Sequence, residues 1–210
     1  MNHFITGTDT DCGKTYVTDL LVRAARAEGL DAVAAKPFCC GSREDVEILS
    51  AANGGILPPD VVNPVWLKTP AAPLACQLLG EKPADLAAAL GGMRALASRH
   101  DHVCCEGAGG WLVPLLHRYS MADFAAELGW PILLVARNKL GVLNHALLTI
   151  ENIRQRGLKL AGVVLNHAEA AEDPATRTNR KILEDVLGHP LLAAVPRGAK
   201  VIDLPPIFRG

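Results

Sequence analysis

The residues with the clearest chemical content lie at the start of the chain, in FITGTDTDCGKT (4–15). Gly7 is followed by five residues, Thr8 to Cys12, and then by Gly13-Lys14-Thr15. The common phosphate loop, G-x-x-x-x-G-K-T, has one residue fewer in that gap. The chemistry of such a loop is anion binding. Main-chain N–H groups converge at a helix N-terminus, where the helix dipole also favours negative charge. Lys14 can reach outer phosphates, and the Thr15 hydroxyl can hold a magnesium ion. A tight strand-to-helix turn that uses Gly13 only for geometry is the alternative. A metal-dependent nucleotide site also needs carboxylates, because magnesium takes oxygen ligands.

Glu106, in VCCEGAGG (103–110), is one such acid. It ends an apolar run, so it points to the crevice where open α/β sheets bind ligands. The glycines behind it allow close approach of another molecule, or simply form a turn. Asp45 is a second carboxylate, and it is also placed as an ordinary acid of a helix first turn. Lys36 ends another apolar run and precedes Pro37; it can meet a phosphate or carboxylate, or lie on the surface. In KLGVLNHA (139–146), Gly141 and Asn144 fall at a helix start, where free N–H groups gather into an anion dock or form a plain helix end. Asn166 closes a further run and can read a base edge or cap a turn.

These residues need a scaffold. Apolar runs at 3–6, 31–36, 102–106, 131–136, 160–166 and 190–195 alternate with helical patterns at 14–28, near 43–52 and at 84–99. Val17, Leu20, Leu21 and Ala24 share one face of the first helix. Runs apolar on both faces, separated by helices, specify a parallel sheet covered on both sides. Residues 54–73 carry five prolines and read as an ordered loop whose Val61, Val62, Val65 and Trp66 seek burial. The tail DLPPIFRG (203–210) should pack on the body. At 210 residues the chain fits a single domain, 1–210.

Composition excludes several classes. A net charge of −1 offers no basic surface for nucleic acid. The six cysteines include no C-x-x-C pair and the seven histidines do not cluster near them, which argues against zinc and for reduced thiols. Residues 2–6 are too short for a signal peptide or membrane span, so the expectation is a soluble cytoplasmic protein with no membrane partner.

The loop with five intervening residues is very similar to the signature of the dethiobiotin synthetase family. AKPFCCGS, NPVWLKTPAAP, VCCEGAGGWLVPL and KLGVLNHALLT resemble further segments of that family in the same order, spanning most of residues 4–166. The resemblance implies an α/β fold of the P-loop NTPase type. It implies ATP- and Mg2+-dependent conversion of 7,8-diaminopelargonic acid and CO2 (or bicarbonate) to dethiobiotin, the penultimate step of biotin synthesis. The enlarged loop is then the family's own variant of the phosphate loop.

By position, the resemblance assigns Lys14 and Lys36 to catalysis. Asp11, Cys12, Gly13, Lys14, Thr15 and Tyr16 would hold the nucleotide phosphates, with Asn166, Val195, Pro196 and Arg197 at the base. Thr15, Asp45 and Glu106 would hold the metal. Thr10, Lys36, Cys40, Gly41, Gly107, Ala108 and Gly109 would line the substrate site. Gly141, Val142, Leu143 and Asn144 would take the substrate carboxylate from the partner chain of a homodimer. Cys40 stands where the family commonly has a hydroxyl residue, and the segment after Pro196 is short. The competing reading is a nucleotide-switch ATPase of the partition or septum-positioning type. Such proteins carry an extra lysine at the start of the loop, where this chain has Gly7-Thr8-Asp9.

Overall fold

A computed structural model describes residues 1–168 and 173–209. The element order is β1 (His3–Gly7), α1 (Lys14–Ala27), β2 (Ala32–Ala35), β3 (Phe38–Cys40), α2 (Glu44–Ala52), α3 (Pro59–Val62), β4 (Val65–Leu67), α4 (Pro73–Leu78) and α5 (Leu86–Ala97). Then follow β5 (His102–Glu106), β6 (Pro114–Leu116), β7 (Tyr119–Ser120), α6 (Met121–Leu128), β8 (Ile132–Arg137), α7 (Val142–Gln155), β9 (Leu160–Asn166), α8 (Pro174–Leu187) and β10 (Ala193–Val195).

Six strands form one parallel sheet in the order β10-β9-β8-β1-β5-β2. Successive side chains point to opposite faces, and both faces are covered. On β1, Phe4 packs with Phe38, Phe124 and Met93 on one side. Ile5 packs with Val17, Leu21 and Val135 on the other. This two-sided burial is why the strands read as continuous apolar runs. β1 lies between β5 and β8, and the chain crosses over it between them. The carboxyl ends of these strands therefore open onto the crevice where such sheets bind ligands.

Two small sheets were not legible in the sequence. β3 pairs with β4 in parallel, and β6 pairs with β7 antiparallel. The proline-rich 54–73 segment is thus not a loop throughout, since it holds α3 and β4. Val62 and Val65 are buried as expected, but Val61 is 39% and Trp66 47% exposed. For Trp66 the cause is strand alternation, with Val65 and Leu67 facing in and Trp66 out; Val61 lies in the short helix α3, where Val62 takes the buried position. Trp66 donates its indole N–H to the Gly41 carbonyl at 2.9 Å, under the Arg43 guanidinium. On α1, Ala24 is only half-buried and Ala25 takes the core position. The tail packs through Leu204 and Phe208, and Arg209 pairs with Glu28; Gly210 lies outside the described residues. No helix is long and apolar enough to cross a membrane among the described residues.

Candidate active site

The loop from β1 to α1 carries the first half of the site. Gly13 is the N-cap of α1 at φ 93°, a left-handed conformation that glycine adopts without a Cβ penalty. A Cβ there would also lie 2.0 Å from the Asn166 side-chain amide nitrogen. No side chain caps α1 and no acid occupies its first turn, so its N-terminal N–H groups and dipole are left for an anion. Asp11 also holds a positive φ of 57°, a conformation uncommon for a non-glycine residue. The Lys14 ammonium donates to the Asp9 carbonyl at 3.2 Å, bridging back across the loop.

The ends of β2 and β5 supply the second half. Glu106 is fully buried. Its Oε1 accepts the Thr15 hydroxyl at 2.7 Å and the Lys36 ammonium at 2.8 Å. Lys36 also bonds the Asp45 carboxylate, which the first turn of α2 delivers from above. Burial opposes charge on Lys36, but Glu106 and Asp45 override it and hold the ammonium well above the ordinary lysine range. For Asp45 burial acts to raise the carboxyl, and Lys36, with Thr15 and Lys14 behind it, brings it below its usual value. Lys36 thus meets two carboxylates, and the Thr15 hydroxyl joins one of them, so four separate chain segments converge.

Lys14, Thr15, Lys36 and Asp45 open onto a cleft of about 620 Å³, with Glu106 buried behind them. It is lined by Thr10, Asp11, Gly13, Lys14, Thr15 and Tyr16 of the loop and first helix, and by Lys36, Cys40, Asp45, Ala108 and Gly109. The remaining wall is apolar, built from Pro70, Ala71, Ala72, Pro73 and Val113. Sequence reasoning assigned these wall residues no site role, nor Cys39 and Ser42 beside them. The proline, alanine and valine side chains carry no reactive group, and only the pairing of β3 with β4 brings the proline-rich segment to the cleft. The Cys40 thiol is pushed up to about 12 by burial and by the neighbouring Cys76, so it faces the cleft as a neutral group.

Other expected residues sit elsewhere. Cys12 is buried against the body, and its carbonyl accepts the Asn166 amide at 3.0 Å. Gly107 packs behind the site against Phe4 and Met121. Gly41 is tied into the β3–β4 pair, its N–H on the Leu67 carbonyl. Asn166 lies under the phosphate loop, in register with Val195 on β10. Val195 is buried, while Pro196 and Arg197 are exposed beside it. The Tyr16 phenol ties this edge to α1 through the Ala199 carbonyl at 2.6 Å, a contact with no signal in the sequence. Gly141, Val142, Leu143 and Asn144 do not reach the cleft of their own chain. Gly141 and Asn144 are exposed, whereas the Val142 side chain is core and its N–H bonds the Lys139 carbonyl.

The donor set suits magnesium. Thr15, Asp45 and Glu106 offer only oxygen, and Glu106 Oε2 is buried with no hydrogen-bond partner, an acceptor that a cation or its water would satisfy. No group of three or more His, Cys, Asp or Glu side chains gathers among the described residues, so a metal here must also draw on phosphates and water.

A family model described as an AAA domain matches residues 2–203. The ATP-dependent dethiobiotin synthetase BioD of Akkermansia muciniphila is 39% identical over 203 residues, covering 97% of this chain and 95% of that protein. Its counterpart from Anaeromyxobacter dehalogenans is 45% identical over 197 residues, covering 92% and 88%. Among solved structures, the MinC:MinD complex of Aquifex aeolicus superposes with a TM-score of 0.61 at 12% identity, over 97% of this chain and 84% of that one. The septum site-determining protein MinD of Pyrococcus horikoshii, complexed with Mg-ADP, gives 0.58 at 19%, over 93% and 82%. The structural likenesses establish the P-loop NTPase fold, and the sequence relatives go further: the chain belongs to the ATP-dependent dethiobiotin synthetase family.

Proposed function

We propose that this ATP-dependent ligase closes the ureido ring of dethiobiotin from 7,8-diaminopelargonic acid and CO2, with magnesium. The observation that carries the reading is the single cleft with two unlike parts. One part is polar, with Lys14, Thr15, Lys36 and Asp45 in the lining and Glu106 buried behind them; the Pro70–Pro73 stretch is apolar, as an aliphatic chain requires. Thr15, Asp45 and Glu106 would hold the metal, which when bound neutralises charge on the transferring phosphate.

A neutral amine of the substrate attacks CO2, loses a proton and becomes a carbamate. A carbamate oxygen then attacks the γ-phosphorus of ATP, ADP departs, and a carbamic-phosphoric anhydride forms. The second amine attacks the carbonyl carbon, closes the ring and expels phosphate, and its proton leaves to the phosphate or to water. Lys36 is held as an ammonium by its two carboxylates, so it acts as a charge that aligns carbamate and γ-phosphate rather than as a base. Lys14 and the N–H groups of the loop neutralise the phosphates. The thiols facing the cleft stay neutral, in keeping with a route that has no covalent enzyme intermediate. Asn166 and the 195–197 turn would face the base. The exposed start of α7 supports a homodimer in which Gly141 to Asn144 of one chain hold the substrate carboxylate in the other's cleft. The enzyme would work in the cytoplasm.

The test is whether ATP turnover depends on both diamine and bicarbonate. Turnover equally fast without them would reject the synthetase reading and favour a switch ATPase.

A further inference from the structure

Glu81 has no place in the cleft lining, yet its carboxylate is aimed at the turn after β4. Oε2 accepts the Lys68 N–H at 2.9 Å and Oε1 accepts the Thr69 N–H at 2.8 Å. The next residues, Pro70 to Pro73, are the apolar wall of the cleft. Two of those four are prolines, which have no N–H to anchor them. Helix α4 begins at Pro73 in this wall, then reverses through Gly80 at φ +97°. There the Glu81 N–H bonds the Cys76 carbonyl at 3.0 Å, a helix-closing pattern that fixes the direction of the following side chain. The helix that starts in the wall therefore ends by presenting a carboxylate to the two residues just before it. From inside the same ring, the Cys76 thiol donates to the Thr69 carbonyl at 3.3 Å. The wall abuts β3 so closely that a Cβ on Gly41 would lie 2.7 Å from Pro70 Cβ.

We infer that Glu81 is a positioning residue for the substrate's aliphatic chain: it sets the Pro70–Pro73 wall against Cys40 and fixes the width of the apolar part of the cleft. The inference rests on the reading of that part given under Proposed function. The contacts to Thr69 and Lys68 keep the carboxyl below its usual range, so both oxygens accept at neutral pH. A displaced wall loses contacts made equally in ground and transition state, which shows in KM rather than kcat.

The experiment is steady-state kinetics of the wild type, Glu81→Gln and Glu81→Ala, varying diamine and ATP separately, with melting temperatures alongside. Glutamine keeps one accepting oxygen but turns an NH2 group toward the other N–H; alanine removes both acceptors. The KM for diamine should rise about threefold in Glu81→Gln and about tenfold in Glu81→Ala, while kcat and the KM for ATP stay within about twofold. The penalty should shrink for a diamine acid with a shorter chain, which touches less of the wall. An unchanged diamine KM overturns the assignment, and so does a parallel loss of kcat, ATP affinity and melting temperature. If Glu81→Ala does not fold, Glu81→Gln carries the same comparison. Wild-type turnover indifferent to diamine would instead reject the synthetase reading.

Discussion

Lys36 and Glu106 form a buried ion pair, and such pairs are asymmetric in their energetics. Removing one partner strands the other's charge away from water, at a cost of about 3–5 kcal/mol. Lys36→Met should therefore lose stability of that order in urea unfolding, as well as at least about a hundredfold in rate. Glu106→Gln is milder for the fold. The amide keeps the size of the side chain and an oxygen for Thr15, and Lys36 retains Asp45. Its expected defect is functional: magnesium-dependent turnover should fall strongly while the melting temperature changes little. A wild-type magnesium titration in this variant would remove Glu106 from the metal set.

Strands β1 and β5 bring His3 and His102 together at the end of the sheet away from the cleft, with the Phe208 ring against both. Burial, with the N-terminal amine, His102 and Lys159 adding repulsion, lowers His3 from 6.5 to about 4. Between those values the unfolded chain binds a proton that the fold refuses, so stability falls as pH drops from 6.5 toward about 4. The full shift corresponds to about 3 kcal/mol. His3→Leu should flatten this dependence, read as a smaller change in urea midpoint between neutral and mildly acidic buffer than the wild type shows. At the opposite end of the sheet lies the segment after β10. Pro196, Arg197 and Gly198 are exposed and Val201 is 83% exposed. A base resting on so exposed a turn would be loosely held. Discrimination among ATP, GTP and CTP at matched concentrations should therefore be loose; a thousandfold preference for ATP would contradict this.

Assembly is tested at the scale of the whole molecule. In a two-fold dimer with shared sites, Asn144→Asp repels the substrate carboxylate in the partner's cleft, and Lys14→Ala disables phosphoryl transfer in its own. Each variant alone should be nearly inactive. In a mixed dimer one site collects both defects and the other neither. Random re-pairing of equal amounts makes half the dimers mixed, so about a quarter of wild-type activity should return. Subunit exchange is confirmed first by mass spectrometry of tagged chains. Exchange without recovery would place both residues in the same chain's site.

Much of this was legible in the chain because the relevant signals are local. A strand, a glycine-rich turn and Gly-Lys-Thr at a helix start are contiguous, and their N–H groups converge through backbone geometry alone. The sheet strands announced themselves as short apolar runs because burial on both faces leaves no polar alternation. Lys36, Asp45 and Glu106 could each be named from a strand end or helix start, but their meeting could not. Glu106 is 70 residues from Lys36 and 91 from Thr15. The same holds for the apolar wall. Prolines and alanines carry no chemical signal, and the β3–β4 pair that turns them toward the cleft is three residues long on each side. Strands that short have too little periodicity to read, and their pairing depends on a partner far along the chain. Local sequence thus determined which groups could bind phosphate, while long-range pairing decided which carboxylates neutralise Lys36 and what shape the cleft beside it takes.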